Sequence, residues 1–200
     1  MKKILFVILC ICFIFTVNAQ ADVYDTIRQS SVSIFSVGNS GSGICSGTVI
    51  ENTLYGSKVL TAKHCIDIFE AVYVEKIEIS YLIASKDDDM ALLILNQHIP
   101  NKTPAILAYT NAYQYEPVFH VGYPDLEEYA VNGHVYLPKG DSHYAKMIVI
   151  PGCSGGGLFN EDGQLVGVVW GSTILNVFTK NELTIYEPLT DIKRFLRNLK

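Results

Sequence analysis

The chain is poor in charge and has no excess of positive charge. Asp, Glu, Lys and Arg make up only 18% of its 200 residues, and the formal net charge is −5. It therefore offers no electrostatic footprint for nucleic acid. Long hydrophobic runs are also missing. The most sustained one, "ILFVILCICFIFTV" at residues 4–17, is shorter than the roughly 20 residues a membrane-spanning helix needs. It follows the basic "MKK" and precedes the small-x-small "AQA" at 19–21. This is the pattern of a signal peptide over residues 1–21, with Asp22 as the new N-terminus and no stable membrane association after removal. A secreted or periplasmic location is expected. No internal repeat or low-complexity segment occurs.

Cysteine is scarce. Cys10 and Cys12 would leave with the signal, so Cys45, Cys65 and Cys153 remain. One pair and one free thiol is the simplest account in an oxidising compartment. The histidines, at 64, 98, 120, 134 and 143, show no ligand-like pairing at three to five residues, so no metal site is expected. Nothing in the sequence implies a cofactor.

What is present is mostly short β-type runs. They fall at 31–37, 44–50, 58–62, 75–84 and 90–95, then at 117–123, 129–137, 144–150, 164–171 and 182–187. Strands this short and regularly spaced, broken by Gly, Asn and Asp, indicate an all-β sandwich or barrel. The unpatterned stretch 96–112 separates two β halves. Only "TDIKRFLRNLK" reads as a helix, over 190–199. Thr190 can cap it, and Ile192, Phe195, Leu196 and Leu199 lie along one face.

Three separate stretches carry chemistry when read together. "VLTAKHC" (59–65) puts His64 just past a strand, "DDDMALLIL" (87–95) puts acidic residues at the mouth of another, and "PGCSGGGLF" (151–159) puts Ser154 in a glycine turn. A serine hydroxyl needs a base within hydrogen-bond reach to act as a nucleophile. Imidazole, with an unperturbed pKa of about 6.5, takes and returns a proton near neutrality. A carboxylate fixes its tautomer and stabilises the imidazolium. Gly152 lets the amides of Gly152 and Ser154 face a developing oxyanion.

His64 in "LTAKHC", Asp89 in "DMALL" and Ser154 in "GCSGGG" resemble the trypsin/chymotrypsin-like serine endopeptidases, whose triad follows that chain order. The resemblance implies two antiparallel six-stranded β-barrels, with the site in the cleft between them. The first would span about 28–96 and the second about 112–188, followed by the C-terminal helix. It implies catalytic His64, Asp89 and Ser154, an oxyanion hole from Gly152 and Ser154, and a Cys45–Cys65 disulfide. Closing that loop contributes on the order of 3 kcal/mol in the chain-entropy model. It also implies hydrolysis of a protein or peptide substrate through an acyl-enzyme. Among Asp87, Asp88 and Asp89, the resemblance selects Asp89, directly before the aliphatic-Ala-Leu segment.

The sequence departs from that family at Cys153, where Asp or Asn usually stands. Cys153 is a rival nucleophile, but the register of the following glycines favours Ser154, with Cys153 as a small buried residue under the turn. Without the usual Asp, signal removal alone is expected to yield the mature enzyme. The resemblance places substrate-binding residues at Ile148 and Val149 and along Val169, Trp170 and Gly171. No acid stands there to receive Lys or Arg, so apolar or small residues are expected at the cleavage position. A catalytically inactive binding module on the same barrels is the alternative function.

Overall fold

A computed structural model describes residues 22–39, 41–67, 69–136, 143–176 and 181–199. The expected signal peptide lies outside the described residues. A short helix, α1 (22–28), precedes the first β unit. That unit comprises β1 (Ser31–Gly38), β2 (Gly41–Thr53), β3 (Gly56–Thr61), β4 (Ala71–Val74), β5 (Ile77–Glu78), β6 (Tyr81–Ala84) and β7 (Ala91–Leu95). The second comprises β8 (Pro117–Gly122), β9 (Tyr129–Tyr136), β10 (Tyr144–Lys146), β11 (Gly157–Phe159), β12 (Leu165–Asn176) and β13 (Asn181–Pro188), and helix α2 (Leu189–Arg197) follows.

The second unit is a closed six-stranded barrel, in the order β10-β13-β12-β11-β8-β9. The first is a curled seven-stranded sheet, β5-β4-β1-β2-β3-β7-β6, rather than a closed six-stranded barrel. Its edges β5 and β6 are consecutive in sequence, which explains the curl. Between them, the Ile79 amide donates to Val72 O on one side (3.0 Å) and the Ser80 amide to Ile94 O on the other (2.8 Å). The run 75–84, expected as one strand, is therefore two strands that bring opposite edges of the sheet together.

Side-chain alternation accounts for the layers. In β1, Val32, Ile34 and Ser36 are buried, while Ser33, Phe35 and Val37 face outward. Strand β7 is apolar throughout because both of its faces are covered. Ala91, Leu93 and Leu95 join the core of the first sheet, whereas Leu92 and Ile94 face a cluster shared between the two units. That cluster includes Leu60 and Met90 from the first unit and Phe119, Phe159 and Leu165 from the barrel. Ile192 and Phe195 of α2 are buried in it, with Leu196 and Leu199 packed alongside, as the helical pattern suggests.

Two local details differ from the sequence reading. Helix α2 has Pro188 at its N-cap and no side-chain cap. Thr190 lies inside the helix, and its hydroxyl accepts a bond from Asn111 Nδ2 (3.3 Å). The connecting stretch 96–112 is stitched to both units: Ala105 N donates to Val49 O (2.8 Å) and Ala108 N to Leu165 O (3.0 Å).

Candidate active site

His64 lies in a one-turn 3-10 helix, Lys63–Cys65, directly after β3. Asp89 stands two residues before β7. Both come from the first sheet, through neighbouring strands, because β3 pairs with β7 in antiparallel register. Asp89 grips His64 twice: Oδ2 lies 2.6 Å from the ring Nδ1, and Oδ1 accepts the His64 backbone N–H at 2.9 Å. This double contact fixes the ring's orientation and places the Nδ1 proton toward the carboxylate, leaving Nε2 free to act as a base. The hydrogen bond to Asp89 raises the His64 pKa above its ordinary value, against a smaller opposing pull from burial. Burial pushes the Asp89 carboxyl up, but its bonds from the His64 ring and amide outweigh that and hold it below the usual range.

The three consecutive acids have three different surroundings. Asp87 is exposed. Asp88 pairs with Arg194 of α2 at 2.6 Å. Asp89 faces His64. The Asp89 amide points at Glu187 Oε1 of β13 (3.4 Å), so the second unit also touches this loop. The cluster Asp88, Glu187 and Asp191 has the geometry of a cation site, yet Arg194 already bridges Asp88 and Asp191. Cys45, Cys65 and His64 also lie close together, but their two sulfurs are spent in the Cys45–Cys65 disulfide. That disulfide is the expected one, and it anchors the residue next to His64 to β2.

Ser154 sits in the turn between β10 and β11. Gly152 (φ +100°) and Gly155 (φ +83°) flank it in conformations open mainly to glycine. At Gly155 a Cβ would also fall 2.1 Å from Thr61 Oγ1 and 2.3 Å from Ser46 O. The turn is strapped to β12, with Gly155 N donating to Val169 O (2.6 Å) and Val169 N to Gly156 O (2.9 Å). Strand β12 bulges between Val169 and Gly171. This leaves Trp170 outside the regular ladder, and its carbonyl accepts the Ser154 hydroxyl at 3.1 Å. The hydroxyl is therefore turned to Trp170, and no described bond joins it to His64. The amides of Gly152 and Ser154 donate to no described residue.

Cys153 is fully buried in the barrel core, and burial pushes its thiol pKa up. A protonated, inaccessible thiol is a poor nucleophile. Of the expected substrate-contacting side chains, Val149 and Val169 are buried in that same core. Ile148 and Trp170, with Ile150 beside them, are exposed.

Sequence reading missed Ser46, whose hydroxyl reaches the Ser154 turn from β2, and Glu187. Ser46 is one of several polar residues of β2, with Ser42, Thr48 and Asn52, so nothing local singles it out. For Glu187, 98 positions from Asp89, no local signal exists.

The chain is matched over residues 45–168, more than half its length, by the model of the trypsin-like peptidase domain. It belongs to that family of proteases. Solved structures agree on the fold. The Rv3671c protease of M. tuberculosis in its active form has a TM-score of 0.69 at 22% identity, covering 83% of this chain and 78% of that one. A serine-to-alanine mutant of Rv3671c, in an inactive form, has a TM-score of 0.71 at 22% identity, covering 88% and 89%. The serine endoprotease of Yersinia pestis has a TM-score of 0.72 at 19% identity, covering 88% of this chain and 66% of that one. No curated protein sequence matches the chain.

Proposed function

We propose that the protein is an exported serine endopeptidase in which Ser154 is the nucleophile, His64 the general base and Asp89 the orienting carboxylate. The observation that carries this reading is the two-point grip of Asp89 on His64, at 2.6 and 2.9 Å. Such a grip holds an imidazole in one tautomer, with its other nitrogen available.

In the proposed reaction the Ser154 hydroxyl leaves the Trp170 carbonyl and turns to His64 Nε2. Oγ attacks the peptide carbonyl carbon as its proton passes to Nε2. The carbonyl oxygen becomes an oxyanion, received by the unengaged amides of Gly152 and Ser154. His64 returns the proton to the leaving amine as the C–N bond breaks, giving an acyl-enzyme and a free amine product. Water then attacks the ester, with His64 again taking and returning a proton, and Ser154 is regenerated. No cofactor or metal takes part in these steps.

Exposed Ile148, Ile150 and Trp170 support a preference for apolar or small residues at the cleavage position. A peptide library cleaved only after Arg would overturn that part. The disulfide and the signal-like N-terminus support secretion or a periplasmic location.

A fluorophosphonate probe tests the central claim. The chain beginning at residue 22 should be labelled covalently and hydrolyse casein, and Ser154→Ala should do neither. A folded wild-type protein that resists the probe would instead favour an inactive binding module.

A further inference from the structure

We propose that Ser46, on β2 of the first sheet, is a positioning residue that holds the oxyanion turn in its working shape from across the cleft. The proposal rests on the serine-peptidase reading above and adds a residue that lies outside the triad and the turn.

Ser46 is completely buried, and its side chain and amide both bond to the second unit. The side-chain oxygen accepts the Tyr123 backbone N–H at 2.8 Å. Its own proton is then available to the Gly152 carbonyl, 2.7 Å away. The Ser46 amide donates to the Ser154 carbonyl at 2.8 Å. The Ser46 carbonyl accepts the Thr61 hydroxyl at 2.8 Å, which ties the residue back to its own sheet.

These contacts determine which peptide planes of the turn can rotate. The plane between Gly152 and Cys153 is held at both ends: its oxygen by Ser46 Oγ, and its N–H by Ile150 O at 3.0 Å. The plane between Ser154 and Gly155 is likewise held, its oxygen by Ser46 N and its N–H by Val169 O at 2.6 Å. Between them lies the plane that carries the Ser154 N–H, and just before them lies the one that carries the Gly152 N–H. Both donors are thus set by neighbours that cannot turn. The positive φ of Gly152 means that a flip of its flanking peptide meets little intrinsic resistance, so bonds from outside the turn add to those within it. The Cys153 side chain supplies none, because it lies in the apolar core; its backbone bonds only within the turn, where its N–H donates to Ile150 O and its carbonyl accepts the Gly156 N–H at 3.1 Å. Ser46 supplies two of the four bonds that fix these planes.

The test is Ser46→Ala, assayed well below its measured melting temperature. Losing one oxyanion donor costs about 100- to 1,000-fold in rate; loosening both without removing either should cost less. The expected result is a kcat lower by about 10- to 100-fold with KM within about threefold. Labelling by the fluorophosphonate should slow in proportion to kcat. A peptide boronic acid, which mimics the tetrahedral intermediate, should lose affinity by the same factor, while the affinity of a product peptide stays level. If Ser46→Ala does not fold, Ser46→Cys preserves the volume and a weak donor and should show the same split in smaller measure. Equal labelling rates in wild type and variant would overturn the proposal. So would a variant that loses thermal stability while boronate and product peptide weaken together, since that is the mark of a merely structural residue. A wild-type chain that is not labelled at all defeats the proposed function itself, and this inference with it.

Discussion

His120 makes the floor of the site sensitive to acid, and the size of the effect can be worked out. The residue lies on β8 and has no exposed surface. Its Nδ1 sits 2.9 Å from Gly157 O, so that nitrogen carries the proton of the neutral ring. Nε2 has no partner among the described residues. It faces Gly122, where an added Cβ would lie only 2.6 Å from it, and Cε1 would meet a Cβ added at Gly156 at 2.5 Å. A proton added to Nε2 would create a buried charge with no acceptor. Burial therefore pushes the His120 pKa down to about 4, the Gly157 carbonyl pulling weakly the other way.

A histidine whose pKa is lower in the folded chain than in the unfolded one favours the fold when neutral. Its contribution is complete above the unfolded value of about 6.5 and is lost as pH falls toward the folded value. The gap between about 6.5 and about 4 corresponds to about 3 kcal/mol. Against a typical domain stability of about 5–15 kcal/mol, that is a large share. The comparison protein is His120→Asn, whose amide nitrogen can still donate to Gly157 O but does not titrate. Urea unfolding of both proteins at pH 7, 6, 5 and 4 gives two curves, in which the carboxylates common to both cancel in the difference. Wild type should lose about 3 kcal/mol relative to the variant across that range, at up to about 1.4 kcal/mol per pH unit. Curves that stay parallel from pH 7 to pH 4 would refute the reasoning.

Asp89→Asn should lower kcat by about 10,000-fold, because the amide no longer fixes the histidine tautomer; Asp88→Asn, whose carboxylate meets Arg194 and Ser85 but not His64, should keep most of its activity, and steady-state kinetics separate them. In the pH–rate profile, kcat/KM should rise as His64 loses its proton, with a midpoint above pH 6.5, because the ring's bond to Asp89 raises that pKa. A midpoint below 6.5 would contradict the geometry of the pair. Reducing the Cys45–Cys65 disulfide, which closes a separation of 20 residues, should cost about 3 kcal/mol. By calorimetry that is a fall in Tm of about 6–12 °C for a chain of this size.

Legibility in the sequence followed the range of each interaction. Residues held by local backbone geometry were readable: "KHC" after a β-branched strand, and "GCSGGG" with glycines where positive φ is needed. Strand β11, "GLF", was hidden because three residues after a glycine run carry no alternation. Strand β4, "AVYV", was missed because four residues are too few to establish a period. The break at 79–80 was invisible because its cause is the meeting of two sheet edges, a tertiary event. The helix boundary moved because Pro188, with its fixed φ, took the cap position that Thr190 was expected to hold. Ser46 and His120 escaped notice for the same reason as Glu187: their partners stand 106, 37 and 98 positions away.

The proposed site needs more than three side chains of the right kind, because its members come from two units that must be held in register. The apolar cluster shared by β3, β7, β8, β12 and α2 supplies adhesion, but burial is non-directional and does not by itself fix orientation. Hydrogen bonds are directional, and several of those between the units reach the two sides of the site. Ser46 reaches from the first sheet to the Ser154 turn, while Glu187 and Arg194 reach from β13 and α2 to the Asp87–Asp89 loop. Each half therefore grips the other's reactive segment as well as its own, which is held by the Gly155–Val169 straps and the Asp89–His64 pair. A small relative rotation of the halves would strain both grips together, which couples the Ser154 turn to the His64–Asp89 pair although the two share no covalent neighbour.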